Sequence, residues 1–471
     1  ATSGAGTGEV AVAGALALNV VIQNDTVATV ESGAILDNVS GNIAIGAVAT
    51  NTYDADSLAT VGETAGLFSG IDAALGGLSD ITVWTANVSA QFTDMLQKEI
   101  NTAFSEADAT SAADSSDDGG DDDEGGFGLG AGISLNVIVK DKTRAELADN
   151  VTINNTAQSL AVTSTATTKM KTNAVAGAKP GTGTDPDAKT SLDAAVAVGV
   201  LVKDVDAYIG SGASFAVSDN VTVTSVATTT SNSTAKGEVS ATDTAVGASV
   251  AVGVVLEDND AYLGRSLTSS AGGLNLRADS DSTDIVLADA VAAGTVLDEY
   301  TNKLGMSEAD LLGNNGQTSG NKTPASMEAL NGDFSGGKGA QFDTNNSSTD
   351  AGGKGGEGKK SGSINIAASV AVSWADHDAT ATVADGVSVA TAKDITVAAT
   401  NDVQYRTRGS GLAVFADNAI GVGVGILATS QNTNASIGNG TSLTTSAADA
   451  DIEISAITSE NQGNDPDNSS I

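Results

Sequence analysis

The chain has no cysteine and a single histidine, His377. The first absence excludes disulfides and thiolate metal sites, and the second sets aside zinc sites and histidine-based catalysis. Aromatic residues are 3% of 471, and Ala and Val supply most of the 40% that is apolar. A wide globular interior draws on Leu, Phe and Trp; small and β-branched residues suit a narrow, flattened core between closely spaced strands. Positive charge is scarce, with 21 Lys and Arg against 59 Asp and Glu and a net charge of −38. Such a chain repels nucleic acid and anionic membrane surfaces, which removes both from the expected partners, and it attracts divalent cations. No run approaches the roughly 18 strongly apolar residues of a transmembrane helix. The run 10–22 lacks the basic flank of a leader and fits a strand pattern. A chain that opens on Ala1 without a leader is expected to be the mature or excised portion of an exported protein, at the cell surface or beyond it.

What is present is a repeat. Ala28, Ala145, Ala207, Ala261, Ala381 and Ala435 are each followed two residues later by Val30, Leu147, Ile209, Leu263, Val383 or Ile437. Five residues past each anchor stand Gly33, Asn150, Gly212, Ser266, Gly386 and Gly440. An apolar run precedes every anchor, as in 194–202 and 245–256, and an apolar-x-apolar strand follows, as in Val221-Thr222-Val223 and Ile395-Thr396-Val397. Period-two alternation of large and small residues at 195–200 and 421–425 marks strands. Glycine recurring inside strands implies close backbone approach. The Thr- and Ser-rich extensions 163–172 and 224–234 predict strands with a polar, solvated outer face.

Anchor spacings of 117, 62, 54, 120 and 54 residues set a basic period of 54. The expected fold is all-β, a parallel β-helix or β-solenoid of six repeats, with two coils per repeat and sheets that bury Ala, Val, Ile and Leu. The repeats are placed at 1–64, 127–178, 190–242, 243–294, 362–411 and 412–471. Between them lie an insertion at 65–126, a loop at 179–189 and an insertion at 295–361, all at the same junction and therefore on one edge of the stack. Helical spacing of Phe92, Met95, Leu96, Ile100 and Phe104 predicts a helix near 91–104, and shorter helices are expected near 307–312 and 323–330. Neither terminal repeat carries a capping element, so strand edges are expected at both ends; the neighbouring strand then comes from a longer chain or from another copy.

Three acidic pairs precede anchors: Asp204 and Asp206, Asp258 and Asp260, Asp376 and Asp378. Carboxylates spaced by one residue point the same way from a strand and can share a Ca²⁺; Asp is equally ordinary turn chemistry at a coil corner. Asp121, Asp122 and Asp123, flanked by glycines, form the densest negative run, a second Ca²⁺ candidate or simply a solvated tract. No cofactor is required by any of these. A carboxylate-based polysaccharide enzyme would need converging acids, Arg and aromatic platforms. With Trp84 in an insertion and Trp374 expected to pack at the end of an apolar run, no catalytic residue is assigned and the chain is expected not to be an enzyme. An ice-binding Thr ladder is broken in most repeats.

The blocks 197–210 (AVGVLVKDVDAYIG) and 250–264 (VAVGVVLEDNDAYLG), with their counterpart at 419–438, resemble the long repetitive bacterial surface proteins of the filamentous haemagglutinin and leukotoxin-type filamentous adhesin kind. The resemblance covers the six repeats and not the insertions. It implies a secreted right-handed parallel β-helix with a structural or adhesive role. The leading expectation is an extracellular filament subunit that binds its own copies head to tail, with other cells, surfaces or polysaccharides as further partners. The alternative is a stalk segment of a monomeric surface adhesin, and a β-helix polysaccharide-degrading enzyme stands third.

Overall fold

The computed structural model describes residues 1–5, 10–61, 126–178, 188–241, 244–294, 364–414 and 418–462. Among them the fold is all-β, with every strand pairing parallel. The first coil comprises β1 (Thr2–Ala5), β2 (Val10–Val21), β3 (Asn24–Val30), β4 (Ile35–Leu36) and β5 (Asn42–Val61). The second is β6 (Gly126–Leu147), β7 (Thr152–Ile153) and β8 (Ser159–Ala178), and the third β9 (Ala188–Ile209), β10 (Phe215–Val217) and β11 (Val221–Ala241). The fourth is β12 (Thr244–Leu263), β13 (Leu267–Ser269) and β14 (Leu274–Gly294); the fifth β15 (Ile364–Val383), β16 (Ser388–Thr391) and β17 (Ile395–Val414). The sixth is β18 (Asn418–Ile437), β19 (Ser442–Thr445) and β20 (Ile452–Gln462).

Successive coils stack into a front sheet (β2 with β3, β6, β9, β12, β15, β18), a back sheet (β1, β5, β8, β11, β14, β17, β20) and short edge ladders (β4–β7 and β10–β13–β16–β19). The fold is therefore the expected parallel β-solenoid, corrected in one respect: each repeat is one coil, not two. Ala207 lies beside Ala261 in the next strand, and Ala261 beside Ala381. A repeat of this length makes a single coil because its long strands are about 20 residues, roughly 66 Å, across. The acidic stretch after each apolar run is no corner; β9 and β12 run straight through it.

The described corners lie beside the short strands, and there the anchors do what their spacing implies. Ala145, Ala207, Ala261 and Ala381 are buried. Gly33, Gly386 and Gly440 adopt φ of 77°, 70° and 70°, and Asn150 adopts 59°, the left-handed conformation that favours Gly and Asn. At this corner three sheets meet, leaving room for Leu147, Leu160, Ile209, Phe215, Leu263 and Leu276.

At the opposite end front and back sheets nearly touch, and the core becomes mostly Ala, with Val239 and Val286 from the back sheet. A Cβ on Gly132 would lie 2.5 Å from the Val175 carbonyl oxygen. This corrects the expectation that the front strands bury their large apolar residues. Ala195 and Ala197 face inward and are fully buried, while the intervening Val196 faces outward. Trp374 likewise does not pack; it is 59% exposed on the same outer face. The back sheet's outer face is polar, carrying Thr163, Thr165 and Thr167 beside Thr224, Val226 and Thr228.

Residues 62–125, 179–187 and 295–363 each fall between a back strand and the next front strand. The helices expected near 91–104, 307–312 and 323–330 lie outside the described residues.

Candidate functional site

Charge concentrates in a band across the half of the front sheet nearer the short strands. Strand alternation sends one set of these residues inward and the next outward, so a single band makes two charged layers.

The inward layer is one column of registered residues: Asn24, Asp141, Lys203, Glu257, His377 and Gln431, one per coil. A bulge in β6 between Ile138 and Asp141 keeps both facing inward. Charges alternate in sign along the column, and its two ends are neutral amides. Asp141 accepts hydrogen bonds from Asn51 (2.8 Å), Thr168 (2.8 Å) and Asn24 (3.2 Å). The Lys203 ammonium donates to the Thr228 carbonyl at 2.9 Å and to Thr229 Oγ1 at 3.0 Å, with Glu257 Oε2 at 3.6 Å. Glu257 also accepts from Thr229, Ser280 and Ser282. His377 Nε2 lies 2.9 Å from Asp284 Oδ2, and its Nδ1 is 3.9 Å from Glu257 Oε1.

Burial opposes the charges of Lys203, Glu257 and His377, and its balance with the neighbours differs at each. Burial outweighs Glu257 and Asp141 at Lys203, whose pKa is lowered. At Glu257 the Lys203 and His377 charges win, and its carboxyl is held below the usual range. The Asp284 and Glu257 contacts overcome burial at His377 and push it up to about 9. Asp284 itself is raised by burial. The inward layer is thus a sealed ion-pair ladder tying the coils together.

The outward layer contains the sequence candidates. Asp204, Asp258 and Asp378 form one column with Lys142 at its head, and Asp206 and Asp260 form the neighbouring column headed by Arg144. Asp376 lies in the adjoining column beside Leu256. All six face outward from strands, so the corner-turn reading of these aspartates does not apply. The Lys142 ammonium binds Asp204 at 2.5 Å and Asp206 at 2.9 Å. Among the described residues no such ion pair is made by the other two pairs. Burial and the charges of Asp204, Asp206 and Asp378 push Asp258 up to about 6. Burial, Asp258 and Asp206 push Asp260 up to about 7. The array is a flat field of carboxylates, and among the described residues no group of three or more His, Asp or Glu side chains is placed to hold a metal ion. Asp121, Asp122 and Asp123 lie outside the described residues. Past this field Arg144 rests 5.2 Å above the Tyr208 ring, which stacks on Tyr262 with centroids 4.7 Å apart.

Sequence reasoning missed the inward ladder. Its signal was a charged or amide residue at one repeat position in every coil, masked by alternating sign. It also missed Arg265, which is buried at the corner. There it donates to the carbonyls of Gly210 (2.5 Å), Val151 (2.6 Å), Ala148 (2.7 Å) and Ser211 (3.1 Å), joining three coils.

The two end faces complete the picture. The edges of β2, β3 and β5 at one end and of β18 and β20 at the other carry no further described front or back strand, apart from β1. That strand pairs only with the far end of β5, Thr2 beside Leu58. No helix among the described residues is long and apolar enough to cross a membrane. No family model, curated protein or solved structure matches the chain.

Proposed function

We propose that the chain is a structural, non-catalytic subunit of an extracellular filament in which solenoids stack end to end, the last coil of one copy pairing with the first coil of the next. The observation that carries this reading is the fit between the two ends. Through the back-sheet registers, β20 occupies the strand positions equivalent to Ile43 through Tyr53. The opening strand β1 occupies only the positions beside Leu58 through Val61. Seated on another copy, the described residues of β20 and of that copy's β1 share a single strand level without overlap, as in a lap joint.

Side chains along the joint match in kind. Gln431 ends the front-sheet ladder and Asn24 begins it, so at this position the junction brings together two neutral amides. Gly440 meets Gly33, both left-handed. Ile452 and Ile454, 45% and 49% exposed, meet Ile43 and Ile45. A head-to-tail contact of this sort propagates. The lack of cysteine, the high acidity and the resemblance to filamentous surface proteins support an extracellular setting.

A stalk segment of a longer adhesin is the second reading, favoured by the same β1, which serves equally as the close of a preceding coil in one chain. Electron microscopy of the purified chain separates the two. Stacked copies give filaments with an axial repeat of about 29 Å, six strand levels at about 4.8 Å. Single rods at every concentration overturn the filament.

A further inference from the structure

The half of the front sheet nearest the back-to-front junction bears five outward rows, and every residue in them is apolar or glycine. The middle row reads Leu16, Ile133, Val196, Val250, Val370 and Val424, one from each coil. Beside it runs a shallow row from Gly14 through Ala131, Ala194 and Ala248. Strand spacing and rise give this field about 25 by 30 Å, roughly 750 Å². That exceeds the few hundred Å² of apolar patch usual on a monomer and equals one side of a standard protein interface. Among the described residues, the only layer facing the front sheet is the back sheet, on its inner side.

We propose that this apolar field docks face to face on the same field of a second copy, about a two-fold axis parallel to the solenoid axis. Area supports a second copy, since the field is self-complementary in chemistry: ridges of Val, Leu and Ile alternate with a groove of Ala. Charge selects the orientation. The other half of the same outer face carries Asp204, Asp206, Asp258 and Asp260. A two-fold axis along the strands would press one acidic field onto the other. The axis along the solenoid reverses the strands and places the acidic fields on opposite flanks, away from each other. Greatest overlap puts the middle row on the axis. Trp374, in the outermost row, then covers the region of Ile366 on the second copy, as a large aromatic anchor at the rim. This pairing is lateral and independent of end-to-end stacking; together the two produce paired filaments.

The absence of cysteine makes the test direct. Residue Val250 on the axis meets its own copy, so the full chain carrying Val250→Cys is oxidised mildly and run on a non-reducing gel. Val196→Cys, in the same row, is a second probe, and Thr228→Cys on the back sheet is the control. Expected is capture of disulfide dimer at least tenfold faster from either front-face variant than from the control, and loss of dimer mass in sedimentation for Val250→Glu with unchanged circular dichroism. The disulfide reports lateral neighbours whether or not copies also stack end to end. Monomeric protein whose front thiols react with maleimide as fast as the control overturns the proposal. So do monomeric protein and protected thiols, which would mean that residues 62–125 or 295–363 of the same chain cover the field.

Discussion

Lys203 and Glu257 stand side by side in adjacent coils, Nζ to Oε2 3.6 Å, with both side chains wholly shut off from solvent. Each is expensive to bury alone, and the surrounding hydroxyls and carbonyls do not replace a counter-ion. Removing one partner should therefore cost far more than removing both. Lys203→Met leaves a buried carboxylate and is expected to destabilise by about 3–5 kcal/mol. In the Lys203→Met/Glu257→Gln double variant most of that loss should return, because the amide keeps its bonds to Thr229, Ser280 and Ser282. Urea unfolding of the four proteins in a double-mutant cycle checks it. Additive losses would show that the ions act separately.

His377 is the only histidine, so its titration is read from a single imidazole resonance without assignment. Asp284 and Glu257 face it, and with Tyr405 close by these contacts lift it to about 9 against burial. Its folded pKa lies above the ordinary 6.5. The stability it contributes is fully present below pH 6.5 and is lost as pH rises through 9, a span worth up to roughly 3 kcal/mol. His377→Gln should flatten the stability profile in that window only. An imidazole midpoint below 7 would contradict the ladder.

How far the sequence revealed this molecule can be judged at particular residues. Ala145, Ala207, Ala261 and Ala381 marked the corner because a tight turn against three sheets admits only a small side chain there, coil after coil. Gly33, Asn150, Gly386 and Gly440 marked it because the left-handed backbone restricts the choice. Strand length was hidden. The Thr- and Ser-rich extension 224–234 was legible as strand, and β11 runs through it to Ala241, but with Thr and Ser inward and outward alike its alternation carries no contrast to mark where the strand stops. Burial was inverted for Val196 and Val250. An apolar run ordinarily turns its large residues inward, but sheets brought to contact by Gly132 and its neighbours leave the front strands room inside mostly for Ala, Gly and Ser. The outward aspartates were recognised as side-by-side pairs. Their inward companions Lys203, Glu257 and His377 were not, since charge alternation along a stack looks like variation when repeats are compared for likeness.

Arg265 takes the place at the corner where Asp149 and Asp385 stand in other coils. Those carboxylates accept from the backbone N–H of the following coil, Ser211 and Asn439, both at 2.6 Å. Arg265 reverses the polarity and donates to four carbonyls in the two preceding coils. Arg265→Ala orphans these acceptors and is expected to cost about 3 kcal/mol or more. Arg265→Lys should recover only part, because one ammonium cannot reproduce the guanidinium's planar fork. Hydrogen exchange offers the finer check. Protection should fall first at the corners of coils two to four, and uniform loss along the solenoid would argue against a local staple.

Among the described residues Asp258 and Asp260 meet no cation comparable to Lys142, which pairs with Asp204 and Asp206. Burial and mutual repulsion raise them to about 6 and 7, above the ordinary 3.8. A raised carboxyl holds its proton more tightly folded than unfolded. The favourable contribution of the pair is therefore fully present below pH 3.8 and disappears as pH rises through 6 and 7, leaving net repulsion at pH 8. Asp258→Asn and Asp260→Asn are expected to raise the melting midpoint at pH 8 by on the order of 1–2 °C each, discounted for their partial exposure. The gain should vanish near pH 4, where the parent carboxylates are already protonated. Calcium at fixed ionic strength neutralises the same field by another route. If the array takes up the ion, the parent melts higher in calcium than in chelator and the double variant does not. A gain from the Asn substitutions that persists unchanged at pH 4 would mean that packing, not charge, was relieved.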